Sequence, residues 1–101
     1  MGAPGGPRHV ISGESRLRLA AKARLRFDRQ SSRYMLLYPE RGLVLNPTAA
    51  DVLRRCDGER TVGSIVEELA RQYGHAPPTV EREVLAFLQT MADRGLVQAA
   101  P

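Results

Sequence analysis

Between Arg16 and Phe27 the chain keeps a period of two. Leu17, Leu19, Ala21, Ala23, Leu25 and Phe27 take the odd positions, while Arg16, Arg18, Lys22, Arg24 and Arg26 take even ones. A helix would scatter that pattern around its circumference, whereas a strand sends successive side chains to opposite faces. The spacing predicts a β-strand over at least residues 23–27, one face buried and one covered by Arg, with extended chain leading into it. Asp28-Arg-Gln-Ser-Ser32 supplies turn formers. Arg33 to Tyr38 is dense in Tyr, Met and Leu, and both of its faces ask for cover. Pro39-Glu-Arg-Gly42 then gives a tight reversal, with Pro fixing φ and Gly as the permissive end, before Leu43-Val-Leu45. The expected sheet is a three-stranded antiparallel meander. Nothing follows its third strand, so that strand's outer backbone groups lack a ladder partner within the chain.

From Asn46 the period lengthens to that of a helix. Asn46-Pro47 provides a capping side chain and a first-turn proline where no donor is needed. Ala49, Val52, Leu53 and Cys56 then share one face before Asp57-Gly58 ends the segment. Thr61 caps a second helix whose apolar face is Val62, Ile65, Val66, Leu69 and Tyr73, closed by Gly74. The connector Gly74-His-Ala-Pro-Pro78 is expected to be non-helical, because Pro77 and Pro78 lack amide donors and restrict the residues before them. Thr79 starts a third helix centred on Val80, Val84, Phe87 and Met91, ending at Asp93-Arg-Gly95, and Leu96-Val97 docks back on the core. The expected fold class is α+β, winged helix-turn-helix-like, a three-stranded antiparallel sheet followed by three helices in the order βββααα. Residues 1–15, rich in Gly, Pro and Ser, are read as a flexible head or linker remnant, and residues 16–98 as a single domain.

A length of 101 residues with 43% hydrophobic residues suits one small globular domain. No run approaches the roughly 18 apolar residues of a membrane span. Gly and Pro stand where a signal peptide needs an apolar core, so a cytoplasmic protein without membrane association is expected. The single Cys56 excludes an intrachain disulfide, and His9, Cys56 and His75 stand too far apart for a zinc site. Gly5-Gly6, Gly58 and Gly63 match no phosphate-cradling spacing. Cys56 falls on an apolar stripe, His75 in the proline connector, and Glu67, Glu68, Glu81 and Glu83 on outward helix positions. These residues form no constellation that activates a substrate, and the chain is read as a non-enzyme without metal or cofactor.

The net charge of +4 is unevenly placed. Residues 1–33 carry eight basic side chains against Glu14 and Asp28, which is +6 and leaves −2 for residues 34–101. A winged-helix outline with a basic surplus invites a DNA-binding reading. The third helix would have to read the bases, yet its outward residues are Glu81, Arg82, Glu83, Gln89, Asp93 and Arg94, and an acidic surplus there is repelled by phosphate. DNA binding through the Arg face of the first strand stays as the alternative. The unpaired edge of the third strand favours another ligand: an extended peptide that adds as a further strand, with selectivity from nearby side-chain pockets. The same edge would let two copies pair as a dimerisation module. On the third helix Leu85, Leu88 and Ala92 widen the apolar stripe to one flank, where they would form a groove wall opposite that strand.

Tyr34-x-Leu36-Leu37-x-Pro39-Glu40-Arg41, Leu45-Asn46, Ala49 to Leu53 and especially Cys56-Asp57-Gly58-x-Arg60-Thr61-Val62, followed by Ile65 and Leu69, resemble the PqqD family. The resemblance runs from Arg24 to Val97, and the combination of Leu-Leu-x-Pro-Glu-Arg with Leu-Asn and Cys-Asp-Gly is specific. It implies a noncatalytic peptide-recognition domain of winged-helix type, the peptide chaperone of pyrroloquinoline quinone (PQQ) biosynthesis. Such a domain binds the ribosomally made precursor PqqA and presents it to PqqE, a radical S-adenosylmethionine enzyme with iron-sulfur clusters that links a Glu and a Tyr side chain within the peptide. The implied site is the groove between third strand and third helix. Carried onto this chain, the candidates are Leu43, Val44, Leu45 and Asn46 on the strand, with Leu85, Leu88 and Ala92 on the helix. Relatives usually start close to the first strand, so the Gly/Pro-rich head implies an N-terminal fusion to another PQQ biosynthetic domain.

Overall fold

The alternation from Arg16 to Phe27 makes two strands, not one. In the computed structural model, which describes residues 10–100, β1 spans Arg16–Leu19 and β2 spans Arg24–Asp28. They lie in different sheets. Ala20 and Ala23 are both buried, and the Ala23 N–H donates to the Ala20 carbonyl at 2.9 Å. This small-residue turn redirects the chain while leaving the period of two intact on either side, so pattern alone does not reveal it.

β3 (Arg33–Tyr38) and β4 (Arg41–Val44) complete an antiparallel meander in the order β2-β3-β4. β4 is the third strand of the sequence reading. Its turn is tighter than expected, because Tyr38 pairs with Arg41 and leaves only Pro39 and Glu40 between them. The positive φ, 62°, falls on Glu40 and not on Gly42. Pro at the first central position and a left-handed residue at the second is the arrangement of a type II turn.

α1 (Pro47–Arg54) starts as the sequence suggests, with the Asn46 Oδ1 accepting from the Ala49 N–H at 2.7 Å. α2 (Val62–Tyr73) is capped by Thr61, whose Oγ1 accepts from the Ser64 N–H at 3.1 Å, and ends at Gly74 with φ 69°. α3 (Pro77–Asp93) corrects the expected connector: Pro77 and Pro78 are themselves helical. In the first turn their missing donors would have had no intrahelical acceptor, so proline costs nothing there.

Two further strands have no counterpart in the sequence reading. β5 (Asp57–Thr61) and β6 (Val97–Ala99) flank β1 in a second antiparallel sheet, β5-β1-β6, with Arg16 opposite Thr61 and Leu19 opposite Val97. Among the described residues the fold is α+β with two three-stranded antiparallel sheets and three helices, and the observed order ββββαβααβ replaces βββααα.

Both sheets and all three helices contribute to one core, which includes Leu17, Leu36, Leu53, Ile65, Leu69, Leu88 and Leu96. On α3 the buried residues are Val80, Val84, Leu88 and Met91. Leu88, not Phe87, therefore completes the packed face with Val80, Val84 and Met91. Ile11 also joins the core, its N–H donating to Gln89 Oε1 at 3.0 Å, and the Gly63 N–H donates to the Gly13 carbonyl at 2.8 Å. Part of the head assigned to residues 1–15 is thus packed, and residues 1–9 lie outside the described residues. Among the described residues no helix is long and apolar enough to cross a membrane.

Candidate functional site

Backbone alternation decides which atoms β4 offers. In a hairpin closed by a two-residue turn, the flanking pair exchanges hydrogen bonds, and so does every second pair beyond it. Tyr38 and Arg41 flank the turn, Leu36 and Leu43 form the next such pair, and the Leu45 N–H donates to the Tyr34 carbonyl at 2.9 Å, in phase with them. Arg41, Leu43 and Leu45 therefore turn their peptide groups toward β3. Gly42 and Val44 turn theirs outward. Because β4 is the last strand of its sheet, these outward groups form an open ladder.

α3 reaches both ends of this hairpin, running opposite to β4. Near the turn, Arg94 Nη2 donates to the Tyr38 hydroxyl at 2.9 Å and its guanidinium lies 6.0 Å from the ring centre. At the other end, Asn46 shares a cavity of about 390 Å³ with Val80, Glu83, Val84 and Phe87 of α3. Val52 and Leu69 add apolar lining, and Tyr73 and His75 reach it from the end of α2. The Tyr73 hydroxyl donates to Asp51 Oδ2. That bond, reinforced by burial, raises the Tyr73 pKa, so the phenol stays a neutral donor.

The seven candidate residues fall into two groups. Val44, 53% exposed, offers both its side chain and its outward backbone. Leu43, Leu85 and Ala92 are half-buried against the core, and Asn46 is exposed with its Oδ1 already held by the α1 cap. Leu45 and Leu88, at 3% and 0% exposure, are core residues and not groove walls. The helical wheel reads Leu88 as a flank because it takes Phe87 into the packed set with Val80, Val84 and Met91, where the fold buries Leu88 instead. Asn46 alone of the seven lines the cavity, and Phe87, Glu83, Tyr73 and His75 were not anticipated there. Phe87, expected in the centre of the packed face, is only partly buried and lines the cavity.

Chemistry of other kinds finds little support at these residues. Cys56 is buried, its Sγ donating to the Val52 carbonyl at 3.4 Å, and burial, aided by the Asp57 charge, pushes its thiol up to about 12. A thiol that holds its proton at neutral pH is a poor nucleophile. Among the described residues no group of three or more His, Cys, Asp or Glu is placed to hold a metal ion.

Residues 33–97, which carry the meander edge, its flanking helix and the cavity, match the family described as Coenzyme PQQ synthesis protein D (PqqD). The chain belongs to the PqqD family. Among PqqD relatives, the PqqA binding protein of Bradyrhizobium diazoefficiens is 38% identical over 94% of this chain and 93% of its own. The Methylorubrum extorquens bifunctional coenzyme PQQ synthesis protein C/D is 34% identical over 88% of this chain, which spans 24% of that longer protein. The fold agrees with the solution structure of the PqqD truncation of Methylobacterium extorquens PqqCD, a functional and stand-alone recognition element for ribosomally synthesized, post-translationally modified peptides. That match has a TM-score of 0.76 and 34% identity and covers 87% of this chain and 94% of the other. PqqD from Xanthomonas campestris aligns with a TM-score of 0.52 at 31% identity, over 83% and 93% of the two chains.

Proposed function

We propose that this PqqD-family domain is a noncatalytic recognition element that binds the precursor peptide PqqA as an added strand on β4 and delivers it to the radical S-adenosylmethionine enzyme PqqE. The observation that carries the reading is the outward ladder of Gly42 and Val44 with α3 reaching both ends of the hairpin. An extended peptide satisfies those N–H and C=O groups while its side chains meet α3. The names and functions of the relatives support PqqA as the ligand. Together β2, β3, β4 and the three helices act as the winged-helix-like unit of the domain, and β5-β1-β6 braces it from the side. The half-buried Leu43, Leu85 and Ala92 contact the peptide, Leu45 and Leu88 support that surface from beneath, and Asn46 leads into the cavity.

Titrating synthetic PqqA into the isotopically labelled domain tests this reading. Amide shifts concentrated on residues 42–46 and the exposed flank of α3, with a dissociation constant of about 1 μM or tighter, equivalent to about −8 kcal/mol, are the expected result. Shifts confined to β1, β5 and β6, or no heat by calorimetry, would exclude it.

A further inference from the structure

The outer face of the β2-β3-β4 sheet has a composition that folding does not explain. Leu25, Leu36 and Leu43 stand opposite one another on the core side, so the intervening rows point away: Arg24, Leu37 and Gly42 in one, Arg26, Met35 and Val44 in the next, then Asp28 and Arg33. Met35 and Leu37 are not among the residues packed on the core. They close over Gly42, where an added Cβ would sit 3.2 Å from Met35 Cε and 3.3 Å from Leu37 Cδ2. With Val44 they form an apolar strip running to the open edge of β4. Arg24, Arg26 and Arg33 border that strip, all exposed. Ion pairs among the described residues engage Arg54, Arg55 and Arg60, not these three.

We infer that this face docks a protein surface with an apolar centre and a carboxylate-rich rim, and that the bound peptide completes the interface. The inference rests on the proposed strand addition for its second half. A peptide strand paired with β4 places every second side chain beside Gly42 and Val44, continuing the same face. The partner therefore touches domain and peptide together, and the peptide strengthens its binding. The charge complementarity calls for an acidic rim, since the three exposed guanidiniums outnumber Asp28, the one carboxylate in these rows, and the surplus attracts carboxylates and repels other basic surfaces. The apolar centre favours protein over nucleic acid, because phosphates gain nothing from Met35, Leu37 and Val44.

The test measures binding of purified PqqE to the full chain, with and without saturating PqqA, for the wild type, for the Arg24→Glu/Arg26→Glu double variant and for Arg71→Glu, exposed on α2, as a control. The expected result is at least a tenfold loss of PqqE affinity in the double variant, PqqA affinity within twofold of wild type, an unchanged control, and tighter PqqE binding when PqqA is present. A native amide spectrum of the double variant establishes that it folds. PqqE affinity within twofold of wild type in the double variant overturns the inference, as does a wild type that binds no PqqE, or a duplex DNA that displaces PqqE from this face. If PqqA fails to perturb β4 while the double variant still loses PqqE, the docking face stands and strand addition falls.

Discussion

Arg55 Nε donates to Glu68 Oε1 at 2.5 Å, and the same guanidinium reaches Gln72 Oε1 at 3.1 Å and the Asp51 carbonyl at 2.9 Å. One side chain, 19% exposed, thus fastens the end of α1 to two successive turns of α2 and holds one wall of the cavity. Charge-assisted bonds that are partly shielded from water exceed the worth of an ordinary surface pair. Arg55→Ala is expected to lower stability by about 1–2 kcal/mol in urea denaturation. The Arg55 hydrogen bond is also the main cause of the lowered Glu68 pKa, whose ordinary value is 4.5. A carboxyl depressed in the folded state stabilises fully above its unfolded pKa, and that contribution is lost as pH falls through the lower folded value. Glu68→Gln should therefore flatten the acid limb of a plot of thermal midpoint against pH below about 4.5, leaving the midpoint's pH dependence above that range as in wild type.

Val44 offers its amide to the outside and none to β3. Val44→Pro is expected to keep the fold, because proline is tolerated on an edge strand whose N–H faces solvent. Peptide binding should weaken at least about tenfold, about 1.4 kcal/mol, measured by calorimetry. Leu45→Pro provides the contrast, since it removes the donor bonded to the Tyr34 carbonyl and should unfold the hairpin.

The β3–β4 turn stores strain at Glu40, where a side chain occupies a left-handed backbone. Glu40→Gly relieves that strain and should stabilise the domain by about 0.5–1 kcal/mol after the entropy of the freer unfolded chain is subtracted. Gly42→Ala, by comparison, meets only the mobile tips of Met35 and Leu37. Thermal denaturation should place it within about 0.5 kcal/mol of wild type.

Leu88 and Leu85 separate packing from recognition. Leu88→Ala leaves a cavity in the core and should cost about 3–5 kcal/mol. Leu85→Ala, at a half-buried position, should cost about 1–2 kcal/mol by burial arithmetic and weaken the peptide several-fold. Paired unfolding and binding measurements distinguish the two, and equal losses of stability would remove the distinction between core and flank.

What the sequence revealed follows the range of the interactions involved. Asn46-Pro47 and Thr61 mark helix starts because a cap acts within three residues, and the apolar arc of α2 is legible because it repeats every turn. The open edge of β4 was readable from the absence of a following strand. The β5-β1-β6 sheet was not, since Thr61 finds Arg16 and Val97 finds Leu19 across long stretches of chain, and Asp57-Gly-Glu-Arg-Thr61 lacks the residues that favour strands. Leu88 was misplaced for a related reason: periodicity defines an apolar arc, but the neighbouring elements decide where burial along it is deepest.

β1 joins the start of the domain to its end, with Leu19 and Val97 paired 78 positions apart (97 − 19) and the Ala100 N–H donating to the Arg16 carbonyl at 2.8 Å. The hairpins that end in the open edge of β4 close over loops of a few residues, so they are expected to assemble early. Sealing of the second sheet must wait until the last strand has been synthesised. On this topology a nascent chain is expected to form the open edge of β4 before Leu17 and Val97 are covered, with the pairing of β1 and β6 as the slower event.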